Sequence, residues 1–180
     1  ESLIDNLILF SQTAKGELSL KLGPVDISRV AVEIINMSKA KATDKKVNLK
    51  ANIQPDLPLV QADEEKISWV ILQLLDNAIK FTPQGGDVIL TLAQETRTML
   101  NISVMDTGIG IPKERLNEAF ESFHQLDGSS TRQFGGTGLG LSLVRNILEA
   151  HGSPIDVKSE EGKGSVFLFP LLVVDSTREK

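Results

Sequence analysis

The apolar positions of this chain repeat with two different periods, which predicts alternating helices and strands. Between about Asp63 and Lys80, apolar residues recur every three or four positions, forming the clearest amphipathic helix of the chain. Residues 99–105 instead alternate apolar and polar side chains, as expected of a half-buried strand. The apolar stripe of the helix consists of Ile67, Val70, Ile71, Leu74, Leu75, Ala78 and Ile79.

The same two periods predict the remaining elements of an α/β domain. Helical patterns cover residues 26–45 and 139–150. The order of helices and strands predicts a sheet packed against helices, and no internal repeat competes with that interpretation. Further strand-like segments lie at 47–53, 59–62, 87–92, 154–159 and 164–171.

The first fourteen residues carry a separate apolar pattern. Leu3, Leu7, Phe10 and Ala14 recur at spacings of four, three and four, which indicates a helix that packs lengthwise on another helix. Glycines and a proline then interrupt the pattern, so we place a domain boundary near Gly23. We therefore predict an upstream helical piece at 1–15, a linker at 16–26, a main domain at 27–171 and a tail at 172–180.

Composition limits the classes of partner. The 180 residues carry a net charge of −5 and a pI near 5.1, which disfavours non-specific binding to nucleic acid or to an anionic membrane. Cysteine is absent, which excludes disulfides and a cysteine nucleophile, and no apolar run is long enough to cross a bilayer. We expect a cytoplasmic fragment of a longer protein, with membrane anchoring of that protein left open.

Two glycine-rich loops predict a nucleotide site. The string D-T-G-I-G-I-P at 106–112 begins where a strand ends, so the Asp106 carboxylate can accept a hydrogen bond from an adenine amino group. The string G-G-T-G-L-G-L at 135–141 opens a helix, where backbone N–H groups favour phosphate. Ordinary tight turns are the alternative for each loop taken alone.

Polar residues on the 63–80 helix can face the same ligand. Gln73, Asp76, Asn77 and Lys80 fall three and four residues apart, opposite the apolar stripe. The amide oxygen of Asn77 can ligate Mg²⁺, and Lys80 can meet phosphate oxygens as a cation. The alternative is a solvated helix face.

The segment between the glycine loops resembles a lid. Residues 113–134 contain Phe120 and Phe123 and then a run of small and polar residues that includes Arg132. The two aromatic side chains can anchor a mobile segment. Core packing is the alternative for both, and a plain surface charge is the alternative for Arg132.

Taken together, five motifs resemble the bacterial sensor histidine kinases. They occur in that family's order over about residues 24–171. The resemblance implies a Bergerat-type ATP-binding fold, a two-layer α/β sandwich with a mixed sheet, helices on one face and a flexible lid. The motifs are L-D-N-A-I-K-F-T-P at 75–83, D-T-G-I-G-I-P at 106–112, F-E-S-F-H-Q-L-D at 120–127, G-G-T-G-L-G-L at 135–141 and G-K-G-S at 162–165.

The resemblance also implies roles at the matching positions. Asn77, supported by Gln73, would be the Mg²⁺ ligand, Lys80 a phosphate contact and Asp106 the adenine reader. The segment 1–15 would be the end of the dimerisation domain that carries the phosphoacceptor histidine. The other nucleotide contacts would be Gly108, Gly110, Phe120, Phe123, Arg132, Gly136, Thr137, Gly138, Leu139, Gly140 and Ser165.

Departures from the family pattern bear on the alternatives. Gln73 occupies a position that is usually Asn, and Ser153 follows His151-Gly152 where a second glycine is common. Related ATPases such as gyrase place a Glu four residues before the Asn to activate water, and its absence here favours phosphoryl transfer over hydrolysis. A nucleotide-binding regulatory module and a serine-directed anti-sigma kinase remain open.

The resemblance implies a kinase that acts on another domain. His124 and His151 match no phosphoacceptor motif, and both are expected to be structural or surface residues. The chain would hold Mg·ATP for attack by a histidine of its own dimerisation domain. The phosphoryl group would then pass to an aspartate of a response-regulator receiver domain.

Overall fold

Three helices and seven strands form the part of the chain that the structure describes. The computed structural model describes residues 11, 18–116, 118–121 and 139–174. The helices are α1 (Ile27–Asp44), α2 (Glu64–Phe81) and α3 (Gly140–Ala150). The strands are β1 (Gly23–Val25), β2 (Asn48–Ile53), β3 (Val60–Ala62), β4 (Asp87–Gln94), β5 (Met99–Asp106), β6 (Asp156–Glu160) and β7 (Gly164–Leu172).

Five of the strands form one mixed sheet. Its order is β2-β4-β5-β7-β6, in which β2 runs parallel to β4 and every other neighbouring pair is antiparallel. The parallel pair needs a long crossover, and β3 with α2 supplies it. The register pairs Asp106 at the end of β5 with Ser165 on β7 and with Val88 on β4.

Strand alternation sets the two faces of this sheet. In β5 the buried residues Leu100, Ile102 and Val104 alternate with half-buried ones, and β4 and β7 follow the same period. The buried face packs against the helices, and the whole apolar stripe of α2 predicted from the sequence is buried. The predicted layer of sheet against helices on one face is confirmed.

Side-chain caps fix where the helices start. Asp26 accepts a hydrogen bond from the Arg29 amide at α1, and Asp63 accepts one from the Lys66 amide at α2. At the other end of α2, the Lys45 ammonium donates to the Lys80 carbonyl oxygen. A cation at this position complements the negative end of the helix.

A second sheet has two strands, of which β1 lies in the segment that the sequence predicted as a linker and β3 in a predicted strand. β1 pairs antiparallel with β3, with Gly23 opposite Ala62 and Val25 opposite Val60. The glycine and proline of β1 gave no strand signal, because this short strand depends on a partner 37 positions away. Residues 23–25 are therefore part of the folded unit, within the predicted segment 16–26.

Some predicted segments lie outside the described residues. These are nearly all of the helix at 1–14, most of the lid at 113–134 and the tail from residue 175. Two short 3₁₀ turns, Lys113–Arg115 and Glu118–Phe120, follow the first glycine loop. Among the described residues, none of the helices is both long enough and apolar enough to span a membrane.

Candidate functional site

Asp106 ends the central strand β5 and is almost fully buried. It is 7% exposed, and its Oδ1 accepts a hydrogen bond of 2.8 Å from the Gly108 amide. Burial raises the pKa of this carboxyl, while backbone hydrogen bonds from Gly108 and Ser165 oppose the rise. A buried acceptor held in a fixed direction can recognise one N–H donor of a ligand.

The first glycine loop is clamped between α2 and the β6–β7 hairpin. The Ile109 amide donates to the Phe81 carbonyl at 3.2 Å, and the Gly162 amide donates to the Ile109 carbonyl at 2.7 Å. A methyl group at Gly108 would lie 2.7 Å from the Phe81 carbonyl oxygen. At Gly110 the φ is +67°, and an added methyl would overlap the Glu160 carbonyl.

The second half of α2 contributes the polar side chains. Gln73, Asn77 and Lys80 are half-buried on this part of the helix. Asp76 pairs instead with Lys41 of α1 at 2.8 Å. The C-terminal turn of α2 thus lies beside the loop that starts at Asp106.

Positive charge concentrates at this end of α2. Burial lowers the pKa of Lys80, with further lowering from Lys41 of α1 and from Lys45, the residue that follows α1. The Lys80 ammonium also lies 4.9 Å from the centre of the Phe81 ring. This arrangement favours an anionic group such as a phosphate near Lys80.

Gln73 lies against the first residue of α3. A methyl group at Gly140 would be 2.8 Å from Gln73 Nε2 and 3.1 Å from its Cδ. The glycine at this position therefore gives room to the long amide side chain. Leu139, the preceding residue, is buried at 1% exposure and anchors the end of the second glycine loop.

The amide pair Asn77 and Gln73 fits the chemistry of a magnesium site. Each of these side chains ends in a neutral amide oxygen, which Mg²⁺ accepts as a ligand. Mg²⁺ commonly takes one or two protein oxygens and completes its shell with water and phosphate. No group of three or more His, Cys, Asp or Glu suited to a metal occurs among the described residues.

Phe120 and Ser165 occupy packed positions at the edge of the site. Phe120 is 7% exposed and meets Phe167 edge to face at 6.3 Å, which supports the core-packing alternative. Ser165 exchanges a hydroxyl hydrogen bond of 2.8 Å with Ser159, and Ser159 also accepts from the Ile111 amide at 2.7 Å. This serine network holds the floor of the first glycine loop.

The remaining predicted residues divide into two groups. His151 is half-buried and hydrogen-bonded to the backbone of Asp63 and Ile147, which agrees with a structural role. The others lie outside the described residues: Phe123, His124, Arg132, Gly136, Thr137 and Gly138.

The geometry and the chain's relatives agree on one family. Residues 62–175 match the family described as Histidine kinase-, DNA gyrase B-, and HSP90-like ATPase. The chain belongs to this ATPase family. The match spans α2, both glycine loops and the hairpin that carries Ser165, which are the elements that build the site.

Within this ATPase family, the similar proteins are histidine kinases. The chain is 37% identical to the circadian input-output histidine kinase CikA of Synechococcus elongatus, over 92% of the chain and 22% of CikA. It is 37% identical to the adaptive-response sensory kinase SasA of Crocosphaera subtropica, over 95% of the chain and 44% of SasA. The predicted resemblance to sensor histidine kinases is confirmed, and the chain spans less than half of either relative.

A solved structure supports the same fold. Full-length ShkA in complex with AMPPNP has a TM-score of 0.85 and 28% identity, covering 97% of this chain and 36% of that protein. The two-layer α/β architecture of the Bergerat type is thereby confirmed.

Sequence reasoning missed Lys41, Lys45 and Ser159. Lys41 and Lys45 act on α2 from a neighbouring helix 35 residues away. Ser159 reaches Ile111 across 48 residues. No local pattern predicts such contacts, although Lys41 in the last turn of α1 and Lys45 at its C-cap are four residues apart.

Proposed function

We propose that this chain is the ATP-binding catalytic domain of a sensor histidine kinase. In this proposal Asp106 accepts a hydrogen bond from the adenine amino group. Lys80 and the backbone amides that open α3 bind the phosphates. Asn77 and Gln73 hold Mg²⁺, which, when bound, neutralises charge on the phosphate oxygens.

The proposed reaction transfers the γ-phosphoryl group to a histidine of a separate dimerisation domain. The imidazole nitrogen attacks the γ-phosphorus in line, the bond to the β–γ bridging oxygen breaks, and ADP leaves with that electron pair. The domain contributes positioning and cationic charge and supplies no nucleophile of its own. The receiver domain of a response regulator would then take the phosphoryl group onto an aspartate.

The observation that carries this proposal is the buried Asp106 carboxylate beside a clamped glycine loop. Calorimetric titration of Mg·ATP and ADP into the chain tests it. Asp106→Asn places a donor or a weaker acceptor opposite the adenine amino group, so we expect roughly 10- to 100-fold weaker binding of both nucleotides.

Asp156→Asn is the matched control, because Asp156 is an exposed strand carboxylate at the sheet edge. It should bind nucleotide like the unmodified chain. Failure of the unmodified chain to bind, or equal losses in both variants, would contradict the proposal.

A further inference from the structure

Asp63 joins three segments of the chain at one buried point. The side chain is 6% exposed. Its Oδ1 accepts from the Lys66 amide at 3.1 Å and caps α2, while its Oδ2 accepts from the Lys21 amide at 2.8 Å. Its backbone amide donates to His151 Nε2 at 3.1 Å. The segment before β1, the start of α2 and the end of α3 therefore meet at this residue.

The contact with Lys21 extends the small sheet by one side-chain bond. β1 pairs with β3 up to Gly23 opposite Ala62, and the chain of β3 then turns into α2. Backbone pairing cannot continue past that turn. The Asp63 carboxylate takes over as acceptor for the Lys21 amide and ties residues 18–22 to the helix start.

His151 closes the junction from the other side. Its Nε2 accepts from Asp63, so the ring proton is on Nδ1, which donates to the Ile147 carbonyl at 2.8 Å. The last turn of α3 is thus fixed to the first turn of α2.

The two helices also meet near the nucleotide site. Gly140 begins α3 and contacts Gln73, which lies ten residues after Asp63 and so about 15 Å along α2. α3 has 11 residues and a length of about 16 Å, which matches that span. The two helices therefore meet at two places, between Asp63 and His151 at one end and between Gln73 and Gly140 at the other.

We propose that Asp63 is a positioning residue that couples the segment 18–22 to nucleotide binding. A helix transmits a displacement at its first turn along its whole length, because its backbone bonds are satisfied internally. Loss of the hydrogen bond between the Lys21 amide and Asp63 shifts the first turn of α2, and thereby the position of Gln73 further along the helix. This inference rests on the proposed nucleotide function.

Two variants separate this coupling from simple capping. Asp63→Asn keeps one oxygen for the helix cap, where Asn serves as well as Asp, but cannot accept from both amides. Lys21→Pro removes the donor at the other end and leaves the α2 cap intact. We expect each to weaken Mg·AMPPNP binding about fivefold or more, with an unchanged α-helical circular dichroism signal.

The control and a reciprocal measurement make the test specific. Asp26→Asn alters the equivalent cap of α1, whose side-chain hydrogen bond to a described residue lies within its own helix turn, and should leave affinity unchanged. In the unmodified chain, saturating Mg·AMPPNP should slow hydrogen exchange of the Lys21 amide by the same factor, since coupling is reciprocal. A purely structural cap would not produce that response.

The outcomes are distinct. Unchanged affinity in either Asp63→Asn or Lys21→Pro, or a Lys21 exchange rate that does not change with nucleotide, would overturn the coupling while nucleotide binding stands. Absence of binding by the unmodified chain and by Asp26→Asn would instead overturn the proposed function, and the coupling with it.

Discussion

At the scale of single residues, the site depends on a carboxylate placed where solvent is scarce. Burial raises the pKa of Asp106, and the amides of Gly108 and Ser165 recover part of the lost hydration. The Gly108 amide also fixes the direction in which this carboxyl presents its oxygens to a ligand. Burial of the Asp106 carboxyl thus lowers the stability of the folded state while it provides a hydrogen-bond acceptor for a ligand.

This cost predicts a pH dependence of stability. Because the pKa of Asp106 is higher in the folded state than in the unfolded chain, its contribution favours folding below the unfolded pKa, about 3.9, and is lost as pH rises through the folded pKa. Asn does not titrate. The unfolding free energy of Asp106→Asn minus that of the unmodified chain should therefore increase with pH across this window.

Urea denaturation of both proteins at several pH values from about 4 to about 7 measures this difference in unfolding free energy. Lost hydrogen bonds add only a constant offset. A difference that is flat or falls with rising pH would show that Asp106 is not destabilised by burial.

At the scale of elements, the contact between α2 and α3 decides how the amide of Gln73 lies. This residue is longer than the Asn usual in the family, and Gly140 leaves the room that it occupies. The fit of the long Gln73 side chain against Gly140 therefore depends on how α2 and α3 pack together.

This contact predicts compensation between two substitutions. Gly140→Ala would push the Gln73 amide aside and should weaken Mg·ATP binding about tenfold, a typical cost for disturbing the support of a metal ligand. Adding Gln73→Asn shortens the amide and should restore most of the affinity. Calorimetry of the two single variants and the double variant measures the interaction energy.

Gly23→Ala provides the control, because nothing lies within 4 Å of a methyl group at that position. It should bind like the unmodified chain. Additive losses in the double variant would mean that Gln73 and Gly140 act independently.

At the scale of the whole molecule, the proposed reaction needs a nucleophile that receives the phosphoryl group. The described residues include one histidine, His151. Both of its ring nitrogens form hydrogen bonds with backbone groups. In the proposed function the acceptor histidine therefore belongs to another domain.

This requirement predicts transfer in trans. With Mg²⁺ and γ-labelled ATP, the chain alone should stay unlabelled, and a histidine-bearing dimerisation domain of a similar kinase should gain acid-labile label when the chain is added. Asp106→Asn should reduce the rate roughly in proportion to its affinity loss at subsaturating ATP. Labelling of the chain itself would contradict the assignment of its histidines.

The sequence by itself determined the type and approximate bounds of most elements. The stripe of α2, the alternation of β5 and the loop strings at 106–112 and 135–141 are local signals, because side-chain periodicity and glycine spacing act within a few residues. They were enough to predict the α/β layers and to propose Asn77, Lys80 and Asp106 as nucleotide-site residues.

Only the tertiary structure decided which distant groups meet. The strand at Gly23–Val25 exists through its pairing with β3, and Lys45 reaches Lys80 from another helix. The junction at Asp63 joins residues 42 and 88 positions away. Hydrogen bonds of this kind depend on the packing of whole elements, and no period along the chain encodes them.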